Sequence, residues 1–410
     1  MKKILVIGYV WPEPNSSAAG RHMLSILRLF KRQNWQVEFA SPAQLTEHMV
    51  DLKNEGISSQ SIALNCDSFN KYVANYNPNI VMFDRFMMEE QFGWRVEKEC
   101  PTALKILDTE DLQYLRHARH EAVKNEREMT QIDLFNDIAK REIAAILRCD
   151  ISLIISDFEM KLLTDTFKVD INLLHYLPFM VDLASCPDET PAYSGRKHFI
   201  SIGNFRHAPN WDSVLQLQKM WPAVRKELPD AELHIYGAYP PPKATALNNP
   251  KTGFLIKGWA DDAFAVMAAS RVCLAPLRFG AGIKGKLLDA IIMQTPSITT
   301  PIGSEGMHQH EPWPGMVVPN IDEFADAAIR LYKDEEQWLN AQKNGMSLLT
   351  NRYDKTRLGK KLINKILETE KNIEQHRLNN FTGSMLKHHS MMSTKYMSQW
   401  IAAKNANLAE

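Results

Sequence analysis

The segment that indicates the fold most directly reads Ala275-Pro-Leu-Arg-Phe-Gly-Ala-Gly-Ile-Lys-Gly-Lys-Leu-Leu-Asp-Ala290. An apolar strand leads into it, a turn with Gly280 and Gly282 follows, and a helix then begins. Glycine lets the main chain turn sharply and come close to a ligand. The amides at the beginning of a helix favour anions. This order is typical of a parallel α/β sheet that binds its ligand at the carboxyl end of a strand.

The charged residues of the segment suit a sugar nucleotide. Arg278, Lys284 and Lys286 form a basic cluster that can neutralise a diphosphate. Asp289 follows on the first turns of the helix, where its carboxylate can accept hydrogen bonds from sugar hydroxyls. We therefore predict that Lys284, Lys286 and Asp289 bind a nucleotide-linked sugar.

Short apolar runs alternate with helical patterns on both sides of this segment, which predicts two parallel sheets with helices on both faces. In the first half the predicted strands are Ile4–Ile7, Gln36–Ala40, Ile80–Phe83, Leu104–Leu107 and Ile151–Ile155. In the second half they are Phe199–Ile202, Leu233–Tyr236, Phe254–Lys257, Val272–Ala275, Ser297–Thr300 and Met316–Val318. The charged region 116–146 has a helical period and predicts a solvated helix or helix pair.

The length of 410 residues exceeds the usual size of one hydrophobic core and favours two domains. A polar stretch with several prolines separates the two series of strands. We predict a first Rossmann-like domain at 1–183, a linker at 184–198, a second Rossmann-like domain at 199–345 and a helical extension at 346–410. The ligand is then expected in a cleft between the two sheets.

The composition excludes several other classes of protein. Lys+Arg and Asp+Glu both number 48, so bulk charge does not favour nucleic acid as a partner. The five cysteines are scattered without a C-x-x-C pair, which disfavours a disulfide framework or a zinc site. Because the N-terminal apolar run is short and no window resembles a membrane span, we expect a cytoplasmic protein. Peripheral contact with the inner face of a membrane is left open.

Further loops at strand ends carry small or basic residues that suit a phosphate or a sugar. Gly20 closes the long loop after the first strand, and Gly237 ends a strand of the second half. Gly203 and Arg206 follow the first strand of the second half. Four more candidates follow the last full strand: Gly303, Ser304, Glu305 and Gly306. A plain turn is the alternative for each of these loops, since Gly, Ser and Asn are common turn residues.

Acidic residues mark the end of a strand in the first half, in the run Leu107-Asp-Thr-Glu-Asp111. We predict Glu110 and Asp111 as candidate catalytic residues, because a carboxylate there could polarise an acceptor hydroxyl. Acids are also common at a helix N-terminus, where the dipole favours them, so both interpretations stand.

Taken together, these motifs resemble the retaining glycosyltransferases of family 4, which have the GT-B fold. The resemblance rests on Phe199-Ile-Ser-Ile-Gly-Asn-Phe-Arg-His-Ala-Pro-Asn210, on 228–237, on 276–290 and on 295–306, in that order. It implies transfer of a sugar from a nucleotide-sugar donor, as in a hexosyltransferase, without a metal or other cofactor. Lys284, Lys286 and Arg206 would bind the diphosphate. Asp289 would take the place of a glutamate that binds the ribose.

Besides Asp289 in place of a glutamate, the chain departs from that family's pattern at two further places. The first glutamate of the family's E-x7-E pattern would fall at Ala281, so that acid is missing. A histidine that many members carry after a first-domain strand corresponds here to Glu110-Asp111.

Two other functions are compatible with these motifs. A sugar-nucleotide epimerase can share the architecture, and the acids at 108–111 would suit its proton transfers. A catalytically silent GT-B subunit that stabilises a partner is the other alternative. The sequence leaves the acceptor open among a saccharide, a lipid-linked sugar and a protein. It also leaves open self-association through the C-terminal tail.

Overall fold

The computed structural model describes residues 1–187 and 189–407. The first sheet contains β1 (Lys3–Ile7), β2 (Gln36–Ser41), β3 (Ser58–Ser61), β4 (Ile80–Asp84), β5 (Leu104–Asp108), β6 (Ile151–Ile154) and β7 (Leu174–Tyr176). Its helices are α1 (Ala18–Arg32), α2 (Ser68–Tyr76), α3 (Phe86–Glu99), α4 (Gln113–Lys124), α5 (Asp137–Arg148) and α6 (Asp157–Asp165). The strand order is β3-β2-β1-β4-β5-β6-β7, and every pair is parallel.

The second sheet repeats this arrangement. It contains β8 (Lys197–Ile202), β9 (Leu233–Tyr236), β10 (Phe254–Gly258), β11 (Ser270–Ala275), β12 (Ser297–Thr299) and β13 (Gly315–Val317). Its helices are α7 (Ala208–Glu227), α8 (Pro242–Thr245), α9 (Ala263–Ala269), α10 (Gly285–Ile292), α11 (Pro301–Ser304), α12 (Phe324–Lys333) and α13 (Glu335–Leu348). The parallel order β10-β9-β8-β11-β12-β13 places the first strand at the centre, as in doubly wound folds. The predicted two-sheet α/β architecture is confirmed.

The elements follow from the sequence pattern. Ile4 to Ile7 are fully buried because helices cover both faces of β1. Ser17 is the N-cap of helix α1, and its hydroxyl accepts a hydrogen bond from the Gly20 amide. Its apolar stripe, with Ile26 and Phe30, packs on the first sheet.

The chain crosses between the domains twice at neighbouring places. The Val181 amide donates to the Tyr353 carbonyl at 2.7 Å, and the Lys355 amide donates to the Val181 carbonyl at 2.9 Å. Beyond this point, α14 (Lys355–Lys371), α15 (Ile373–Asn379) and α16 (Phe381–Asn407) return to the first domain. Leu362 and Ile366 of α14 are buried in the same core as Ile4. The predicted helical extension is therefore present and packs on the first domain.

Two predicted boundaries include residues that the structure does not describe. Residue 188 of the predicted linker, 184–198, and residues 408–410 of the predicted extension lie outside the described residues. Strand β8 begins at Lys197, near the predicted end of the linker. Among the described helices, none has the length and apolar content that a bilayer crossing requires.

The prediction of a solvated helix or helix pair at 116–146 is only partly right. The region forms two helices, α4 and α5, joined by a 3-10 turn at Gln131–Phe135. It is not simply solvated, because the Glu142 carboxylate is buried and accepts the amides of Gln113 and Tyr114 at 3.1 Å each. The carboxylate thereby pairs two amides at the N-terminus of α4, which otherwise have no helical partner.

Candidate functional site

A large cleft lies between the two sheets, where loops from the carboxyl ends of both sets of strands meet. It encloses about 960 Å³. Of the predicted site residues, nine line it: Gly20, Glu110, Asp111, Gly203, Arg206, Gly237, Lys284, Lys286 and Asp289. A parallel sheet gathers such loops at one edge, which explains why residues far apart in sequence meet here.

The glycine loop, defined here as residues 279–284, enters the cleft between β11 and α10. Gly280 has φ 152° and Gly282 has φ 61°, both in the region that favours glycine. A Cβ atom on Gly282 would come within 2.8 Å of the Asp111 Cβ atom. The second domain therefore approaches the acidic loop of the first domain directly, without room for a side chain at this point.

Two lysines follow the glycine loop. The Lys284 ammonium donates to the Gly282 carbonyl at 2.6 Å, and the Lys286 ammonium donates to the Asn210 side-chain oxygen at 2.7 Å. Burial lowers the pKa of each lysine to about 8. Both are therefore largely protonated at neutral pH, and an anion in the cleft would stabilise the charged form.

The N-termini of α1 and α10 meet across the cleft. A Cβ atom on Gly285, the first residue of α10, would lie 2.2 Å from the Ala18 Cβ atom, at the beginning of α1. No described residue accepts a hydrogen bond from the main-chain amides of Gly285 or Lys286. Unpaired amides at two helix N-termini form a place where a phosphate can bind.

An ion pair joins the two domains beside these helix N-termini. The Arg21 guanidinium donates to the Asp289 carboxylate at 2.6 Å. Both residues line the cleft, so the Asp289 carboxylate has a partner from the first domain there.

The loop after β8 packs tightly against the loop after β9. A Cβ atom on Gly237 would lie 2.1 Å from the Gly203 carbonyl oxygen, so only glycine fits there without a shift. The Arg206 guanidinium lies over the Tyr239 ring, 3.5 Å from its centroid. Tyr239 also contacts His48, which stacks on Trp259 with ring centroids 4.3 Å apart. Arg206, Tyr239 and Trp259 thus present a cation and two flat rings to the cleft.

The first-domain side of the cleft is acidic. Asp84 and Asp108 are register partners at the carboxyl ends of β4 and β5, and one oxygen of each is buried without a hydrogen bond. Burial raises the pKa of Asp108 to about 7 and that of Glu110 well above its usual value, and repulsion among the acids adds to both shifts. Glu110 has φ 61°, a strained conformation for a residue with a side chain.

The two predicted catalytic acids have different surroundings. The Asp111 carboxylate is paired with Arg116. No described residue hydrogen-bonds to the Glu110 carboxylate, although the Glu110 amide donates to Asp108. Glu110 is therefore the acid that is available to a ligand.

The predicted site residues after β12 lie apart from the cleft. Gly303, Ser304, Glu305 and Gly306 do not line it. The Glu305 carboxylate accepts two hydrogen bonds from the Arg119 guanidinium, at 2.7 and 2.8 Å. This ion pair joins the two domains, so Glu305 has a structural partner in place of a sugar.

Sequence reasoning missed several residues that line or support the cleft: Arg85, Arg116, Arg119, Glu159 and Tyr239. Arg85 directly follows β4, so its position at a strand end could have identified it. Glu159 and Arg119 act through contacts with the other domain, and no local pattern signals such contacts.

The cleft does not gather a set of metal ligands from the described residues. Only His198, Glu232 and His234 in the described part of the chain place three ligand atoms within 4.8 Å of one another. None of the three lines the cleft.

Residues 196–334 match the family model described as Glycosyl transferases group 1. The second domain belongs to this glycosyltransferase group. The match covers the second domain from β8 to α12, including the glycine loop and both lysines. A comparison with proteins of curated function found no match.

Solved structures of glycosyltransferases share the fold, which is GT-B. HepE of Anabaena in complex with UDP is 11% identical, with a TM-score of 0.67, over 90% of this chain and 100% of that one. Sucrose-phosphate synthase of Thermosynechococcus elongatus is 14% identical, with a TM-score of 0.66, over 90% and 99%.

A third similar structure is a TarM mutant of S. aureus in complex with fondaparinux, alpha-GlcNAc-glycerol and UDP. It is 13% identical, with a TM-score of 0.57, over 72% of this chain, which spans 57% of that one. At these identities the likeness concerns the fold alone.

Proposed function

We propose that this protein is a glycosyltransferase that transfers a sugar, with retention, from a nucleoside-diphosphate sugar in the cleft to an acceptor hydroxyl. The observation that carries the proposal is the convergence of cationic groups at one place. Lys284, Lys286 and Arg206 line the cleft together with the N-termini of α1 and α10. These groups suit a diphosphate, while the opposite wall carries the free carboxyl of Glu110.

In the proposed reaction the anomeric carbon exchanges its bond to a diphosphate oxygen for a bond to the acceptor oxygen. The departing diphosphate gains negative charge, which the lysines and unpaired amides stabilise. Glu110 accepts the proton of the acceptor hydroxyl, and the raised pKa that burial gives this carboxyl makes its ionised form a stronger base. The basic groups neutralise the charge of the diphosphate, so the proposal includes no metal. The retention of configuration rests on the resemblance of the glycine loop to that of family 4.

UDP-sugars come first among the donors to test, because two of the similar structures contain UDP. The acceptor can be a saccharide, a lipid-linked sugar or a protein. Membrane contact and self-association through the tail remain predictions that the proposal does not require.

The test incubates the protein with a panel of UDP-, GDP-, ADP- and TDP-linked sugars, with Mg²⁺ or with EDTA. Thermal shift reports binding, and slow donor hydrolysis followed by NMR reports the anomer that is released. We expect stabilisation by at least one donor and hydrolysis with retention, equally fast in EDTA. Donor stabilisation accompanied by conversion to an epimeric sugar nucleotide would favour the epimerase instead.

Lys284→Ala and Lys286→Ala should each weaken donor binding, about tenfold or more, because each removes a charge beside the diphosphate. Lys219→Ala is the matched control, since Lys219 is exposed on α7 and lies outside the cleft. Thermal melting without ligand establishes that each variant is folded. Parent-like donor affinity in both cleft variants would overturn the assignment of the diphosphate site.

A further inference from the structure

The carboxylate of Glu159 joins two loops that belong to different domains. Glu159 lies on the first turn of α6 and is completely buried. Its Oε1 atom accepts the amide of Gly282 at 2.8 Å and the amide of Leu112 at 3.1 Å. Gly282 is in the glycine loop of the second domain, whereas Leu112 follows the two acids of the first domain. One oxygen atom therefore sets the distance between the two walls of the cleft.

The position of Glu159 is itself fixed by the beginning of α6. The Ser156 hydroxyl is the N-cap and accepts the Glu159 amide at 3.1 Å. The helix N-terminus also favours a carboxylate at this position. The two amides that Glu159 pairs would otherwise be buried without a partner, which destabilises a folded protein.

The rest of the glycine loop is also held by the first domain. The Arg119 guanidinium donates to the Gly280 carbonyl at 2.8 Å. The methyl group of Ala281 packs in the hydrophobic core of the first domain. Three successive residues of the loop thus contact the first domain through a carbonyl, a methyl group and an amide. The loop carries Lys284 at its end, so these contacts also determine where that ammonium lies.

We propose that Glu159 is a positioning residue for sugar transfer: it docks the glycine loop on the acidic loop, so that Lys284 and Glu110 face the same donor at a fixed separation. The proposal rests on the proposed function for its role in transfer, while the docking itself can be measured without any donor. It explains why an alanine is suitable at position 281. The side chain at position 281 of the loop packs inside the first domain, so it has to be small. The buried carboxylate beside it is that of Glu159, which belongs to the first domain and not to the loop.

Three variants of Glu159 distinguish the effect of losing its two hydrogen bonds from the effect of losing its negative charge. Burial raises the pKa of Glu159 to about 7, so a neutral side chain is a fair mimic near neutral pH. Glu159→Gln keeps an oxygen that can accept both amides. Glu159→Asp keeps the carboxylate but is one methylene too short to reach Gly282. Glu159→Ala removes both hydrogen bonds. Asp165→Ala is the matched control, because Asp165 is an exposed acid on the same helix.

The first readout is hydrogen–deuterium exchange of the full-length chain at the amides of Gly282 and Leu112. We expect exchange at both amides to rise at least about tenfold in Glu159→Ala, less in Glu159→Asp and little in Glu159→Gln. Asp165→Ala should match the parent. If Glu159→Ala does not fold, Glu159→Asp decides the result. Unchanged exchange at Gly282 in a folded Ala or Asp variant would overturn the docking.

The second readout is transfer or donor hydrolysis with the donor that the panel identifies. Since Lys286, Arg206 and both helix N-termini are retained, donor KM should change less than about threefold. Because a small misplacement of reacting groups is costly, kcat should fall about tenfold or more in Glu159→Ala, and Glu159→Gln should restore most of it. If Glu159 only stabilised the fold, Glu159→Ala would lower the melting temperature without lowering kcat more than it changes KM. Increased exchange with a parent-like kcat would overturn the positioning role. A chain that turns over no donor contradicts the proposed function and the role in transfer, while exchange still decides the docking.

Discussion

At the scale of single residues, the cleft depends on side chains whose charge is modified by burial. Lys284 and Lys286 have pKa values of about 8, below the usual value for lysine, because their ammonium groups are partly removed from water. A bound diphosphate would raise both values again. The two ammonium groups are therefore charged and can bind an anion at neutral pH, and they lose this charge as the pH rises.

This gives a prediction for the pH dependence of binding. Only the protonated lysines attract the diphosphate, so affinity should be full below about pH 7 and fall as the pH passes 8. If each lysine is protonated in the complex, UDP affinity falls roughly tenfold per lysine between pH 7 and pH 9. Isothermal titration calorimetry in buffers of different ionisation enthalpy would measure both the affinity and the uptake of protons. In Lys284→Ala the slope should become shallower, and an affinity independent of pH up to pH 9 would contradict the assigned pKa values.

At the scale of secondary-structure elements, the meeting of α1 and α10 decides how close the domains come. Gly285→Ala would place a methyl group 2.2 Å from that of Ala18, so the helix N-termini must separate. We expect UDP affinity to fall about tenfold while the melting temperature changes little, because the shared phosphate site opens. Ala18→Gly added to Gly285→Ala should restore binding by removing the other methyl group. Gly195→Ala is the control, since its Cβ atom would make only an ordinary contact with Pro191 at 3.6 Å. Failure of Ala18→Gly to restore affinity would refute the steric explanation.

Most of the strands, but not the contacts between the domains, could be predicted from the sequence alone. Apolar runs predict eleven of the strands because buried parallel strands are continuously hydrophobic. Strand β3 is missed because Ser58–Ser61 is polar and exposed at a sheet edge, where no hydrophobic pattern is required. Lys284 and Lys286 could be predicted because they follow a strand and a glycine turn. The partnership of Glu159 with Gly282 could not, since the two are 123 positions apart and meet only when both domains are folded.

At the scale of the whole molecule, the last helices unite the two domains. The chain leaves the second domain beside Val181 and buries one face of α14 in the core of the first. The Arg377 guanidinium donates to the Asp150 carboxylate at 2.8 and 2.9 Å and to the carbonyl of Ala103 at 2.7 Å. Helix α16 then packs on α3 and α5. The first domain is therefore completed by the end of the chain, which the sequence separates from it by the entire second domain.

This arrangement predicts that a change in α14 weakens the first domain selectively. Leu362→Ala should destabilise it by about 2–5 kcal/mol, because the side chain is fully buried and its loss leaves a cavity in the core that also contains Ile4. Leu367→Ala, on the same helix but 44% exposed, should change stability by less than about 0.5 kcal/mol.

Hydrogen exchange in increasing urea resolves the domains, since β1 and β2 report on the first and β8 and β9 on the second. We expect Leu362→Ala to lower the urea midpoint of β1 and β2 while β8 and β9 keep theirs. An equal shift in both sheets would mean that the two domains unfold as one cooperative unit. A shift confined to β8 and β9 would contradict the assignment of α14 to the first domain.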